Sequence, residues 1–220
     1  MPPRIHGSIK GNMLRTLLLA AVVTLAVGCA SGPPSVELSN TWPDAPRDYD
    51  GALARWTRKG VIHNGLDHVL TVSATALSAD FRAAYVAERA RRLDMPEGER
   101  TALAASEKTA GSDVIEFEVL IATNRNDWND LGKYPRSMWR IALVGDDGRE
   151  VLPTKIVADK RVRAEVEQWF PDLGPFYKPY VVTFPRVAAD GQPILGGSSK
   201  RMTLELASAL GRTRLVWSAE

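Results

Sequence analysis

A chain of 220 residues, 45% hydrophobic and 25% charged, is long enough for one sizeable core and too evenly mixed for a disordered or polytopic membrane protein. Its formal net charge of +2 belongs to its start: Arg4, Lys10 and Arg15 stand among the first 28 residues with no acid, and beyond them acids outnumber bases by one. So near-neutral a body lacks the electrostatic footprint of a phosphate-backbone binder, so no nucleic acid is expected as a partner.

Between Arg15 and Cys29 runs "TLLLAAVVTLAVG", in which residues 17–27 are apolar except for Thr24. Eleven such residues are too few for a helix across a bilayer core, which takes about 20. Basic residues, a short apolar run and small residues ahead of "CASGPP" describe a secretory leader over residues 1–28. Gly28 followed by Cys29, the sole cysteine of the chain, resembles the signal of bacterial lipoproteins. The resemblance implies lipidation of the Cys29 sulfur and cleavage that makes Cys29 the first residue. Because Ala30 and not aspartate follows, it also implies delivery to the outer membrane rather than the inner. The implied partner is then a membrane, reached through a lipid anchor of two or three acyl chains, since one chain holds only marginally. A buried apolar cysteine, and a plain cysteine left after ordinary leader cleavage, are the alternatives. An exposed thiol in an oxidising compartment would be a liability. Met13 begins a compact leader complete in itself, so both Met1 and Met13 stand as starts.

Residues 29–50 carry Pro33, Pro34, Pro43 and Pro46 and few aliphatics. They read as an extended tether, reaching up to roughly 60 Å at about 3 Å per residue, with Trp42 either docked on the domain or free. Residues 51–220 read as the folded domain. "LARWTRKGVI" and "LDHVLTVSATAL" form a hairpin about Asn64-Gly65, which supplies the positive φ of a tight turn. Ser78 caps a helix, "SADFRAAYVAERARRLD", whose Phe81, Ala84 and Tyr85 share a stripe, and "ERTALAASEKTA" supplies a second helix. The two make an αα-hairpin at about residues 79–110 whose balanced charges suit a solvated face, although "RARR" could also touch lipid headgroups or an acidic partner.

"DVIEFEVLIAT" alternates Ile115, Phe117, Val119 and Ile121 against Glu116 and Glu118, one face toward a core and one toward water. "MWRIALV" and "REVLPTKIVA" give a second hairpin, "YVVTFPRV" a strand before the turn at Asp190-Gly191, and "RMTLELA" with "TRLVWSA" a last pair, Leu204 and Leu206 opposite Leu215 and Trp217. In "KRVRAEVEQWFP", Val162, Val166, Trp169 and Phe170 follow a helical stripe that Asp159 can cap and Pro171 ends. About eight strands so spaced suit an all-β domain, an antiparallel immunoglobulin-like β-sandwich with the helical insert and one short capping helix.

Chemistry-bearing motifs are scarce. There is no GxSxG, HExxH or CxxC, and "GGSSK" at residues 196–200 lacks the order of a phosphate loop. Past the leader only His63 and His68 remain. With Asp67 they suggest a metal, but a short turn rarely fixes such ligands, and no metal is expected. Asn124, Asn126, Asp127, Asn129 and Asp130 could offer oxygens to calcium, but their spacing fits backbone-bonded turns better. In "WFPDLGPFYKPY", Trp169, Phe170, Phe176, Tyr177 and Tyr180 interleave with prolines. They are either the plug of a sandwich end or a platform for sugar rings, peptides or a partner protein. The expectation is a lipid-anchored envelope protein acting as a non-enzymatic interaction or structural module, with no cofactor, no catalytic residue and an envelope protein as partner. The alternative is a glycan- or amphiphile-binding lipoprotein using that aromatic patch, and a hydrolase with an unrecognised site is a third reading.

Overall fold

The structure, a computed structural model, describes Met1, residues 32–172 and residues 174–219. The leader and the Cys29 lipidation site lie outside the described residues. Among the described residues, nine strands pair antiparallel in two sheets. The five-stranded sheet runs β1 (Thr57–Asn64), β2 (Asp67–Ala76), β3 (Val114–Thr123), β7 (Lys178–Pro185), β6 (Lys155–Ala158). The four-stranded sheet runs β5 (Glu150–Val151), β4 (Arg140–Gly145), β8 (Arg201–Ser208), β9 (Gly211–Ser218). Between them lies the core, where Phe117 meets Phe184 edge-on at 5.8 Å and Trp217 at 5.3 Å. Leu143, Leu204 and Leu206 are wholly enclosed, each such side chain contributing about 1.5–3 kcal/mol by leaving water.

Where the edges β1 and β9 meet, small residues are obligatory. A Cβ on Gly60 would stand 2.5 Å from Thr213 Oγ1, and one on Gly211 would stand 2.6 Å from Ile62 Cγ2. Arg58, buried on β1, crosses this seam to donate to Val216 O at 2.8 Å, and Trp217 Nε1 donates to Trp56 O at 2.8 Å.

Four helices complete the described residues: α1 (Tyr49–Trp56), α2 (Ala79–Arg92), α3 (Glu97–Ala110) and α4 (Arg163–Trp169). Among the described residues no helix is long and apolar enough to cross a membrane. The αα-hairpin of α2 and α3 lies where the apolar spacing places it, and Ser78 Oγ accepts from Phe81 N at 3.1 Å as the expected cap.

Several expectations are corrected. The stretch 53–56 is helical, not strand: Asp48 accepts from Gly51 N at 2.7 Å, and Tyr49, Ala52 and Trp56 turn one face inward. The stretch read as a tether is seated on the domain from Pro34 onward. Val36 and Leu38 are buried, Val36 N donates to Ser218 O at 2.9 Å, and Lys108 Nζ sits 5.0 Å above the ring of Trp42. "REVLPTKIVA" does not form one strand. Pro153 lacks an N–H for a ladder, so the chain leaves the four-stranded sheet after β5 and joins the other as β6. In the last hairpin Leu204 faces Leu215 as expected, but Met202 faces Trp217 and Thr213 faces Leu206. Finally, α4 has no side-chain cap, and Asp159 accepts instead from Arg161 N at 2.9 Å ahead of the helix.

Candidate functional site

The outward residues of β3 include two glutamates, which alternation assigns to water; helices cover them instead. Arg82, nearly buried on α2, performs the joining. Its Nε donates to Leu77 O at 2.9 Å and its Nη2 to Glu116 Oε2 at 2.6 Å, while Nη1 pairs with Glu107 of α3. One guanidinium thus links both helices of the hairpin to the sheet, and its fork geometry suits two carboxylates at once.

Beneath α2 this leaves a cleft of about 230 Å³. Phe81, Tyr85 and Phe170 form its walls, and Glu116, Glu118 and Val181 its floor. Glu118 is 1% exposed. Burial foremost, and then the neighbouring Asp159 charge and a hydrogen bond to that residue, push its carboxyl up to about 8 against the pull of Arg161. Burial also opposes ionisation of Asp159, but hydrogen bonds from Arg161 outweigh it and hold Asp159 below the usual carboxylate range. At neutral pH, therefore, Asp159 is the anion that pairs with Arg161 (Nε to Oδ2, 2.8 Å). Glu118 is a neutral acid in contact with Asp159, and its Oε2 accepts from Arg161 Nη2 at 3.0 Å. Glu118 Oε1 is buried with no hydrogen-bond partner, which adds to the cost of ionising this carboxyl. Arg161 also lies 5.6 Å over the Phe170 ring, so one cation ties the acid pair to an aromatic wall.

On the other side of Phe170 a second depression, about 350 Å³, is lined by hydrogen-bonding groups of β1 and β2. Lys59 Nζ lies 2.6 Å from Asp172 Oδ1, Ser73 Oγ donates to Asp172 Oδ2 at 2.9 Å, and the Thr57 and Thr75 hydroxyls stand 2.8 Å apart. Chemically, the first cleft offers an apolar slot with a proton-holding floor and two fixed guanidinium groups. Its described lining includes no Ser, Cys or His.

The five aromatic residues singled out by sequence do not form one surface. Trp169 and Phe170 are buried, the first edge-on to Tyr85 at 4.8 Å and to Tyr49 at 5.4 Å, the second stacked on Phe81 at 6.1 Å. Tyr180 is buried elsewhere, its hydroxyl donating to Asn129 Oδ1 at 3.1 Å. Phe176 is 82% exposed and Tyr177 half-buried, both in the turn ahead of β7. Of the five, only Phe170 lines the clefts.

The other candidates have ordinary partners. His63 and His68 face each other across the β1–β2 hairpin with rings 5.6 Å apart, and His68 Nε2 meets Thr71 Oγ1 at 2.7 Å. Asn129 Nδ2 donates to Ile121 O at 2.7 Å, and Asp130 accepts from Ser137 Oγ at 2.7 Å, which is turn-building by Asx side chains. Among the described residues no three or more His, Cys, Asp and Glu side chains gather as metal ligands. In "RARR", Arg91 and Arg92 pair with Glu88, and Arg92 also lies 4.7 Å over Trp169. Sequence reasoning missed Glu118, Asp159, Arg161 and Arg82 as a group. Their one signal was a pair of glutamates on the strand that follows the helical hairpin. No protein-family model matches the chain, and neither curated proteins nor solved structures give a match to it.

Proposed function

We propose that the chain is a lipid-anchored protein of the cell envelope, held in the outer membrane through Cys29, and that its domain is a non-enzymatic binding module. We infer further that the domain is immunoglobulin-like. The order β2-β3-β7-β6 against β5-β4-β8-β9 corresponds to strands A-B-E-D against C′-C-F-G of such a sandwich, with β1 added at the edge, and supports that reading. The binding site in this proposal is the cleft beneath α2, and the occupant is an amphiphilic group with an apolar body and polar head, presented by a small envelope ligand or by a partner protein. The observation that carries the proposal is the neutral, deeply buried Glu118 beside fixed arginines under a slot walled by Phe81, Tyr85 and Phe170. Such convergence of aromatic walls with a few placed polar groups is the usual composition of a ligand pocket. The glycan or amphiphile reading thereby keeps its chemistry but moves from Trp169, Phe176, Tyr177 and Tyr180 to this cleft.

Trp169 touches Tyr85 at the cleft wall, so its fluorescence reports occupancy. Titration of the mature protein with cell-wall fragments, fatty acids and oligosaccharides is expected to shift that emission for at least one class, and Tyr85→Ala to abolish the shift without unfolding the domain. Silence across all classes, in a protein whose cooperative melting shows it folded, would overturn the proposal.

A further inference from the structure

Carboxyl groups around the cleft beneath α2 outnumber its cations. Arg82 pairs with Glu107 and Glu116, and Arg161 with Asp159 and Glu118, so four carboxyls share two guanidinium groups. Neither guanidinium is left over for an anionic occupant. Even with Glu118 neutral, the Glu107, Glu116 and Asp159 carboxylates stand against two cations, and an acidic head would add a further negative charge where Arg82 and Glu118 are already withdrawn from water.

The floor has a complementary need. Glu118 Oε2 accepts from Arg161 Nη2 at 3.0 Å, whereas Oε1 is buried without a partner. Of the three buried side-chain atoms without a hydrogen-bond partner among the described residues, this alone belongs to the lining of the cleft. A buried oxygen with no donor costs free energy, which an occupant recovers by donating to it. An ammonium group meets both conditions, since its N–H groups donate and its charge balances the spare carboxylate. A hydroxyl meets only the first, and a carboxylate neither. At about 230 Å³ the cleft lies below the usual range for drug-sized ligands, so the body attached to that head is short. We propose, resting on the reading of this cleft as a binding site, that its occupant is a small organic ammonium whose N–H groups donate to Glu118 Oε1 and whose short apolar body lies between Phe81, Tyr85 and Phe170.

Entry of a cation also changes the proton count. The titratable and charged groups around Glu118 are Glu116 on its own strand, Arg82 and Tyr85 of α2, Glu107 of α3, and Asp159 and Arg161 ahead of α4, with Arg89 bonded to the Tyr85 hydroxyl. On either side β2 and β7 present the uncharged Thr75 and Val181. A positive charge added to this set favours ionised Glu118, so binding at neutral pH sends the Glu118 proton to solvent.

The test titrates the purified full-length protein with phenethylammonium, phenethyl alcohol and phenylpropionate, which share an apolar body and differ in the head, by calorimetry in two buffers of different ionisation enthalpy. The ammonium is expected to bind at least about tenfold more tightly than the alcohol, and the carboxylate more weakly than either. The buffer dependence of the heat should report close to one proton released per ammonium bound at neutral pH, and affinity for the ammonium should rise with pH up to about 8. Glu118→Gln, checked for folding by its melting midpoint, should abolish the proton release and bring the ammonium within about twofold of the alcohol, whose own affinity stays unchanged. Equal affinity of the native protein for ammonium and alcohol, or ammonium binding without proton release, overturns the inference. Where such equal binding is lost in Tyr85→Ala, the cleft is still the binding site and only its preference for a cation falls. No heat from the ammonium also overturns the inference, and the fatty-acid and oligosaccharide titrations then decide the cleft reading on their own.

Discussion

The helices α2 and α3 adjoin in sequence and share a length of 14 residues, yet they relate to the fold in opposite ways. From α2, Phe81, Ala84 and Val86 are buried, and its N-cap is made by Ser78. From α3 no residue is buried, and Pro96 at its N-cap offers no side-chain bond. α2 sits directly over the outer face of the five-stranded sheet and closes a third layer, while α3 is fastened chiefly by the Arg82–Glu107 pair and by the hydrogen bond from Arg186 Nη2 to Gly111 O at 2.8 Å just past its end. A hairpin with one apolar stripe can thus be half core and half cover. Only the core half can shape a cleft, because only it brings side chains within reach of the sheet.

This contrast breaks most readily at Phe81. Phe81→Ala empties space between α2, α4 and α1 and should destabilise the domain by about 3–5 kcal/mol in denaturant titrations, whereas Leu103→Ala on α3 should change it by less than about 1 kcal/mol. Next in size is Arg82→Ala, which leaves the Glu107 and Glu116 carboxylates without their shared cation. A loss of about 3 kcal/mol is expected, together with faster proteolysis of α3 than of α2.

A pH effect sharpens the same boundary, since it arises under α2 and not under α3. Glu118 ionises near its ordinary 4.5 in the unfolded chain but at about 8 when folded, so the folded state retains a proton the unfolded state has released. Its stabilising contribution is complete below about 4.5 and is lost as pH rises through about 8, with a slope of about 1.4 kcal/mol per pH unit between them. Asp159 acts in the opposite sense and only at low pH, because its folded value is depressed. Chemical denaturation across that window should show the slope in the native sequence and a flat line in Glu118→Gln, which keeps a neutral head of the same shape. The smallest effect belongs to the exposed Glu97–Arg100 pair of α3: Arg100→Ala should leave the melting midpoint unchanged.

Much of the fold was legible because its signals are local. Alternation in β3, β8 and β9, the glycine turn of the first hairpin and the Ser78 cap depend on neighbours a few residues apart. The helix α1 was missed because "GALARW" satisfies both periods, and only the Asp48 cap ahead of Tyr49 decides between them. The candidate site was far less legible. Glu118 stands 43 residues from Arg161 in the chain, and it meets Asp159 and Arg161 only because β3, the turn before α4 and α2 converge on one face.

By itself, the order of the amino acids determined the alternation of the strands and the helical hairpin, since each rests on spacing within one segment. Which carboxylate keeps its proton, which aromatic rings sink into the core and that Val36 and Leu38 are seated on the domain were decided only by tertiary structure. Those outcomes depend on desolvation and on partners brought together from distant parts of the chain, and no local pattern encodes either.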